Sequence, residues 1–140
     1  MQITRQTEYA VHILIELALA PPGQVLKSSD ISMQRGIPDK FLKKTLQILT
    51  RSGLVTSKRG VAGGVRLAVS PHKITMADVL EIIEGPIAIN PCLSNPLYCD
   101  EAPYCRVRAV LASAQVKLVT ELRKQTLADL AGLQKSEDAV

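Results

Sequence analysis

The sequence predicts a mainly helical fold with a small β-hairpin, in which short helices and the hairpin precede a long C-terminal helix. Apolar residues recur at helical spacing over most of the 140 residues. One glycine-rich stretch separates two short β-prone runs. The order of these elements is typical of a winged helix-turn-helix domain joined to a long dimerisation helix.

The first two helices have clear boundary signals. From Tyr9 onward the apolar residues fall at the i, i+3 and i+4 positions of one helix face, and Pro21-Pro22-Gly23 ends this helix. A second, short helix is expected to begin on Ser28 as a serine cap and to run to Arg35. Gly36 suits its C-terminal end, so a tight turn follows.

A third helix and a hairpin come after this turn. Pro38 fits the first position of the third helix, and Gly53 closes it. Residues 54–59 and 65–69 are short β-prone runs, and the intervening Gly60-Val61-Ala62-Gly63-Gly64 is a turn sequence. The helix-turn-helix is therefore expected to be followed directly by a β-hairpin wing.

The second half is expected to contain a helix, a loop and a long helix. Thr75 and Asp78 form a capping-box pattern before a fourth helix, which Gly85 ends. Four prolines between residues 85 and 103 exclude a continuous helix or a central strand there. Beyond Pro103, a narrow apolar seam predicts a long helix that needs a partner, and its members are Val107, Leu111, Ala114, Leu118 and Leu122.

Charge is divided unevenly along the chain. Residues 1–74 hold eleven Lys and Arg against four Asp and Glu, whereas residues 75–140 hold six against nine. The net charge of +4 therefore combines a strongly basic first half with a weakly acidic second half. A basic half is suited to a polyanion such as nucleic acid.

The third helix has two contrasting faces. Leu42, Leu46 and Leu49 lie on an apolar face, and the opposite face is basic and unpaired. A basic face alone is more often simply solvated, but here a tight turn precedes it and a basic hairpin follows it. This combination favours binding of the helix in the major groove of double-stranded DNA. The candidate DNA-binding residues are Lys27, Ser28, Lys40, Lys43, Lys44, Gln47 and Arg59.

Three cysteines, Cys92, Cys99 and Cys105, lie in or beside the proline-interrupted loop. Thiolates bind iron-sulphur clusters and zinc, and most clusters have four protein ligands, so a fourth group is needed. Structural zinc sites usually have paired C-x2-4-C spacing, which this loop lacks. Spacing alone leaves three alternatives open, which are a cluster, a metal-free thiol switch and zinc. Glu8 and His12 on the first helix are four residues apart, which favours an ordinary exposed pair.

Several other classes of protein are disfavoured. The longest apolar stretch is shorter than the roughly 20 residues that span a bilayer, and the N-terminus does not resemble a signal peptide. We therefore expect a cytoplasmic protein without membrane association. No paired Cys-His arrangement of a catalytic nucleophile is evident, so an enzyme is not expected.

Four regions follow from these observations. Residues 1–84 are expected to form the winged-helix DNA-binding domain, and residues 85–103 form the cysteine-containing loop. Residues 104–133 comprise the dimerisation helix and a C-terminal turn, which the capping pattern of Thr126 and Asp129 introduces. Residues 134–140 are expected to be a disordered tail.

The whole chain resembles the family of small bacterial winged-helix regulators that includes IscR, NsrR and RirA. The shared segments occur in family order, and they are MQIT with EYAV, DIS before RGIP, SGLVTSKRG with GG and RL, ITMADVLEIIEG, the three-cysteine loop and TLADL. The resemblance implies a transcription regulator that is a homodimer and binds a palindromic or pseudo-palindromic promoter site. It also implies a [2Fe-2S] or [4Fe-4S] cluster on the three cysteines, which controls DNA binding.

The chain departs from the family pattern at the fourth ligand and in the wing. Where IscR has a histidine ligand three residues after its last cysteine, this chain has Arg108, which cannot bind a metal. In NsrR the fourth ligand is an acidic residue of the partner's first helix, and the matching position here is Glu8. Another family member uses a glutamate and a histidine on that helix, matched here by Glu8 and His12, so both are alternatives for the fourth ligand. In the wing, Ala62 replaces a glycine. A metal-free thiol-based sensor with the same fold remains the alternative function.

Overall fold

The computed structural model describes residues 2–133, and the tail predicted for residues 134–140 lies outside them. The predicted mainly helical fold with one antiparallel hairpin is confirmed. No helix among the described residues is long and apolar enough to cross a membrane. The helices and strands follow in the order α1 (Arg5–Leu19), α2 (Ser28–Arg35), α3 (Asp39–Arg51), β1 (Val55–Lys58), β2 (Gly64–Leu67), α4 (Met76–Glu84), α5 (Arg106–Lys124) and α6 (Leu127–Leu130).

The predicted start signals of α2 and α3 are each wrong by one residue. Lys27 is the residue that precedes α2, and its extended backbone provides no side-chain cap. Ser28 already lies in the first turn, where its hydroxyl cannot take the capping position, so the predicted serine cap is absent. Pro38 likewise precedes α3 instead of occupying its first position. Gly36 ends α2 with a φ of 63°, as predicted for a glycine at this turn.

The core is built around α1, which contacts α2, α3, α4, α6 and β2. Ala10, Ile13 and Leu14 on α1 have no exposed surface, because helices pack on this face from several sides. Burial of apolar surface from many directions makes α1 the central element of the fold. The other core side chains include Ile31, Ile37, Leu42, Leu46, Leu49, Val55, Val65, Ile74, Val79 and Leu127.

The wing is a two-stranded antiparallel sheet in which Val55 pairs with Leu67 and Lys58 pairs with Gly64. A third segment joins it, since Leu26 and Val65 exchange two backbone hydrogen bonds of 2.8 Å. A Cβ atom at Gly64 would collide with the Leu26 carbonyl oxygen, so glycine is required at this crossing. Ala62 has no positive φ, which explains why the wing accommodates it in place of glycine.

The junction between α4, α5 and α6 is held by backbone hydrogen bonds. Both predicted capping boxes are present, at Thr75 before α4 and at Thr126 before α6. The N–H of Met76 donates to the Gln125 carbonyl at 2.9 Å, and the N–H of Leu127 donates to the Ile74 carbonyl at 2.7 Å. The end of α5 is therefore joined directly to the start of α4.

The long helix α5 packs on α4, but no residue of α5 is buried in this chain. The predicted seam is divided between two environments. Leu111, Leu118 and Leu122 are half-buried, whereas Val107 and Ala114 are exposed. Three of the five seam residues are therefore partly covered by the same chain, and the other two are left open to a partner, so pairing through this seam stays a prediction.

Candidate DNA-binding surface and cysteine loop

The basic residues of α3 lie on its exposed face. Leu42, Leu46 and Leu49 are buried against the core, and this fixes the orientation of the helix about its axis. The residues that the sequence predicted for DNA binding therefore project away from the core, and on α3 these are Lys40, Lys43, Lys44 and Gln47. An exposed helix face of this chemistry can enter the major groove of DNA.

The predicted unpaired character of this face is wrong at Lys43. The Nζ atom of Lys43 lies 3.0 Å from Oδ2 of Asp39, one turn earlier on α3. The sequence prediction missed this pair because it placed Asp39 only at the helix N-terminus. Both side chains are exposed, and such a pair contributes about 0–1 kcal/mol, so exchanging Asp39 for a DNA phosphate costs little.

The remaining candidate DNA-binding residues lie on α2 and the wing. Lys27 is exposed immediately before α2, whereas Ser28 in the first turn is half-buried. Arg59 is exposed in the loop that follows β1, and Arg66 is exposed on β2. Because β1 contacts α3, the basic strands of the wing adjoin the basic helix. These positions fit a surface on which a helix and a wing contact DNA together.

The three cysteines are free thiols with different surroundings. Cys92 is buried in a 3₁₀ turn, where the amide of Asn90 donates to its Sγ atom at 3.1 Å. Cys99 is exposed. Cys105 is the N-cap of α5, and its Sγ atom accepts the N–H of Arg108 at 3.3 Å. The loop therefore presents one sheltered thiol, one accessible thiol and one at a helix start.

The donor types fit an iron-sulphur cluster, since thiolates are its usual ligands. The positions of the three thiols within one chain do not fit a cluster, because residues 2–133 contain no group of three His, Cys, Asp or Glu side chains that could hold a metal ion. Binding a cluster therefore requires the loop to rearrange or a second chain to contribute. Outside the short 3₁₀ turns, the segment between α4 and α5 has no regular structure that would oppose rearrangement.

Arg108 has a structural contact that the sequence did not reveal. Its Nε atom donates to the carbonyl oxygen of Cys92 at 3.2 Å, although the two residues are sixteen positions apart. This hydrogen bond joins the cysteine loop to the first turn of α5. Arg108, which stands where IscR has a histidine ligand, therefore connects the cysteine loop to α5.

Glu8 and His12 do not pair with each other as the sequence suggested. Both are exposed, but Glu8 pairs with Arg5 at 3.1 Å, and Nδ1 of His12 lies 3.2 Å from an Nη atom of Arg35. The Nε atom of Arg35 also donates to Glu16 at 2.6 Å. Sequence reasoning missed Arg35 because this contact joins α1 to α2 through the tertiary fold.

A second missed contact connects the end of α4 to the start of α1. The Glu84 carboxylate accepts the N–H of Thr4 at 2.7 Å and the hydroxyl of Thr7 at 2.7 Å. Burial alone raises the pKa of Glu84, but hydrogen bonds from Thr4 and Thr7 outweigh it and lower the pKa below its usual value. The contact lies beside Gly85, where the cysteine loop begins.

A helix-turn-helix with an adjoining basic wing defines a protein of the winged-helix class. Residues 3–132 match the model of the Rrf2 family, described as an iron-dependent transcriptional regulator. The chain belongs to the Rrf2 family, whose members are transcription regulators and not enzymes. The predicted family resemblance is therefore confirmed.

Solved structures of similar proteins include two named regulators. CymR (YrzC), the global cysteine regulator of B. subtilis, is 27% identical with a TM-score of 0.73, and the match covers 96% of this chain and 99% of CymR. T. potens IscR is 23% identical with a TM-score of 0.76, covering 94% of this chain and 87% of that protein. The oxidised form of S. aureus CymR is 22% identical with a TM-score of 0.74, covering 97% and 100%. The last two matches show the shared fold.

Proposed function

We propose that the chain is a homodimeric transcription regulator whose binding to a promoter operator is controlled by an iron-sulphur cluster on Cys92, Cys99 and Cys105. One observation carries this proposal. All three cysteines lie between α4 and the first turn of α5, in a regulator whose α3 and wing have exposed basic side chains. The same chain thus combines a surface for DNA with a thiol-rich segment that joins two of its helices.

Each candidate DNA-binding residue has a proposed contact on the DNA. Lys40 and Gln47 of α3 face the major groove, where lysine and glutamine side chains can contact base edges, and Lys44 contacts a phosphate. When the protein binds DNA, Lys43 pairs with a phosphate instead of with Asp39. The wing brings Arg59 to the adjacent minor groove or to the backbone. Lys27 and the start of α2 at Ser28 lie against phosphate.

The dimer is supported by an apolar strip on α5 that the single chain leaves exposed. Val107, Val110 and Ala114 lie at i, i+3 and i+7 and are exposed, beside the half-buried Leu111 and Leu118. A 19-residue helix with an uncovered apolar strip fits pairing with a second copy. Two copies related by a twofold axis match a palindromic or pseudo-palindromic DNA site.

The cysteine loop would supply three ligands, and Glu8 or His12 of the partner subunit would supply the fourth. When bound, the cluster supplies iron-thiolate bonds that are sensitive to oxidants and to iron supply. Arg108 joins the Cys92 carbonyl to the first turn of α5, so the loop that would hold the cluster is hydrogen-bonded directly to the helix proposed to form the dimer.

A metal-free thiol sensor is the second candidate, and two observations favour it. The global cysteine regulator CymR of B. subtilis is 27% identical over nearly its whole length. Cys99 is an exposed free thiol, which an oxidant or a thiol metabolite can reach directly. In this case the exposed thiol controls DNA binding without iron.

One experiment separates the two candidates. The protein is purified without oxygen, and its iron, sulphide and visible spectrum are measured for the wild type and for Cys92→Ser, Cys99→Ser and Cys105→Ser. Ser94→Ala, an exposed substitution in the same loop, is the control. The proposal expects iron, sulphide and visible absorption in the wild type and control, and their loss or alteration in each cysteine variant. The same measurement on Glu8→Ala and His12→Ala assigns the fourth ligand, and unchanged spectra and stability in both would exclude that assignment.

DNA binding is measured on sequences that the purified wild type selects from a random library. A colourless, metal-free protein that binds DNA and loses binding after peroxide treatment supports the thiol sensor instead. If the wild type selects no sequence in any state, both candidates are wrong. Arg59→Ala should weaken binding about five- to tenfold, because it removes a contact to DNA from the wing of each subunit. Arg123→Ala on α5 is its control.

A further inference from the structure

A cleft with an apolar floor and cationic side chains at its edge lies beside the proposed DNA-binding face of α3. It is formed where the first half of α1 packs on α3, and its volume is about 270 Å³. The rings of Tyr9 and Phe41 contribute the apolar part, with centroids 6.2 Å apart and a tilt of 41°. Phe41 of α3 is 50% exposed. The lining residues are Arg5, Gln6, Tyr9, Phe41, Lys44 and Thr45.

The polar groups of this cleft are suited to an anion. Arg5 and Lys44 provide two cationic groups, and Gln6 provides an amide. Lys44 also belongs to the exposed basic face of α3, so the cleft is continuous with the proposed DNA-binding surface. A guanidinium group donates two parallel hydrogen bonds to a phosphate, and an aromatic surface can pack against the adjoining sugar.

We propose that this cleft binds one sugar-phosphate unit of the DNA backbone, next to the segment that α3 reads. Arg5 and Lys44 contact the phosphate, and the sugar lies against Tyr9 and Phe41. The inference rests on the proposed DNA-binding function and extends the contact surface beyond the helix-turn-helix and wing to α1.

Glu8 controls how available Arg5 is for this contact. Their side chains form an ion pair of 3.1 Å, and Arg5 is 76% exposed, so a phosphate can displace the carboxylate at little cost. Glu8 and the phosphate therefore compete for the same guanidinium group. Glu8 is also a candidate fourth ligand, and engagement of its carboxylate elsewhere would release Arg5 for DNA.

The test measures DNA affinity by fluorescence anisotropy at several salt concentrations for Arg5→Gln, Arg5→Lys, Glu8→Gln and the Arg5→Gln/Glu8→Gln double variant. Each phosphate contact contributes about 0.9 to the slope of log affinity against log salt, so Arg5→Gln should reduce the slope of a dimer by about 2. Arg5→Lys should keep the slope because it keeps the charge. In protein prepared without iron, so that Glu8 has no cluster to bind, Glu8→Gln should tighten binding in the wild-type background and have no effect in the Arg5→Gln background. Arg123→Gln, which removes a charge from α5, should leave both affinity and slope unchanged.

The outcomes distinguish this inference from the function on which it rests. If the wild type binds no DNA, the proposed function itself is wrong. If the wild type binds DNA and Arg5→Gln has the same salt slope, the proposed function stands and the cleft does not bind the backbone. If Glu8→Gln tightens binding equally in both backgrounds, Glu8 acts as a general negative charge, and its competition for Arg5 is excluded. Circular dichroism verifies that the exposed substitutions leave the fold intact.

Discussion

Arg35 illustrates how a single side chain holds two helices of the DNA-binding region together. It lies in the last turn of α2, where a positive charge is also favoured by the helix dipole. Its Nε atom donates to Glu16 of α1 at 2.6 Å, and the two side chains are only 25% and 18% exposed. A sheltered charged hydrogen bond of this length contributes more to stability than a surface ion pair.

Replacing Arg35 should therefore destabilise the protein. Arg35→Ala leaves Glu16 partly buried without its partner, and we expect the free energy of unfolding to fall by about 1–2 kcal/mol. Urea denaturation measures this change. Lys124→Ala is the control, since Lys124 pairs with Glu121 on the exposed surface and its loss should cost less than about 0.5 kcal/mol. Equal effects of the two substitutions would contradict the role given to Arg35.

Glu84 gives the stability a specific dependence on pH. Its pKa in the folded protein is lowered below the ordinary value of 4.5, which means that folding favours its charged form. Its contribution to stability is therefore complete at neutral pH and is lost as the pH falls below 4.5 towards the lower folded value. Glu84→Gln should be less stable than the wild type at neutral pH, and the difference should shrink on acidification. Thermal unfolding across this pH range measures the difference, and a constant difference would contradict the assignment.

At the scale of elements, the wing depends on a close backbone crossing between Leu26 and β2. Gly64→Ala places a Cβ atom against the Leu26 carbonyl and should disrupt the two 2.8 Å hydrogen bonds of Val65. We expect destabilisation of about 1–3 kcal/mol, as for other overpacked sites, and weaker DNA binding. Ala62→Gly, in the exposed wing loop, should change stability by less than about 1 kcal/mol. Chemical denaturation of both variants checks this, and a stable Gly64→Ala variant would exclude the close crossing.

The elements could be predicted from sequence where local residues determine them. Gly36 and Gly60 have φ values of 63° and 107°, which glycine adopts more readily than other residues. These two glycines therefore predicted the turn after α2 and the loop of the wing correctly. The two capping boxes were readable because both partners lie within four residues. The serine cap at Ser28 failed because the choice between adjacent residues depends on the backbone dihedrals of Lys27.

Much less of the candidate site could be predicted. The basic face of α3 and the cysteine loop follow from periodicity and composition. The contacts of Arg35 with His12 and of Arg108 with Cys92 join residues 23 and 16 positions apart, and no local pattern reports them. The apolar seam of α5 was recognised, but periodicity does not reveal which of its residues the same chain covers.

At the scale of the whole molecule, α4 connects the proposed sensing and DNA-binding parts. Its first residue, Met76, is hydrogen-bonded to Gln125 at the end of α5. Its last residue, Glu84, is hydrogen-bonded to Thr4 at the start of α1, and the cysteine loop begins immediately afterwards. The cysteine loop therefore starts beside the contact by which α4 holds α1. Since α1 also contacts α2 and α3, this packing offers a continuous route to the helix-turn-helix.

The proposed dimer can be tested with two valines of nearly equal exposure. Val110 is 68% exposed and Val116 is 66% exposed, but six residues place them on different sides of α5. Val110 lies beside Val107 and Ala114 on the exposed apolar strip, whereas Val116 lies outside it. Because both are exposed in the single chain, glutamate at either position should leave the fold of the monomer intact.

Val110→Glu should convert the dimer to a monomer at micromolar concentration, because two glutamates would face each other in an apolar interface. Val116→Glu should remain dimeric. Sedimentation equilibrium gives the molecular mass, and band-shift titration should show that Val110→Glu loses at least about tenfold in affinity, since each monomer then binds its half-site alone. If both variants stay dimeric with unchanged DNA affinity, the two copies do not pair through this strip of α5. If Val116→Glu alone dissociates the dimer, the opposite side of α5 forms the interface.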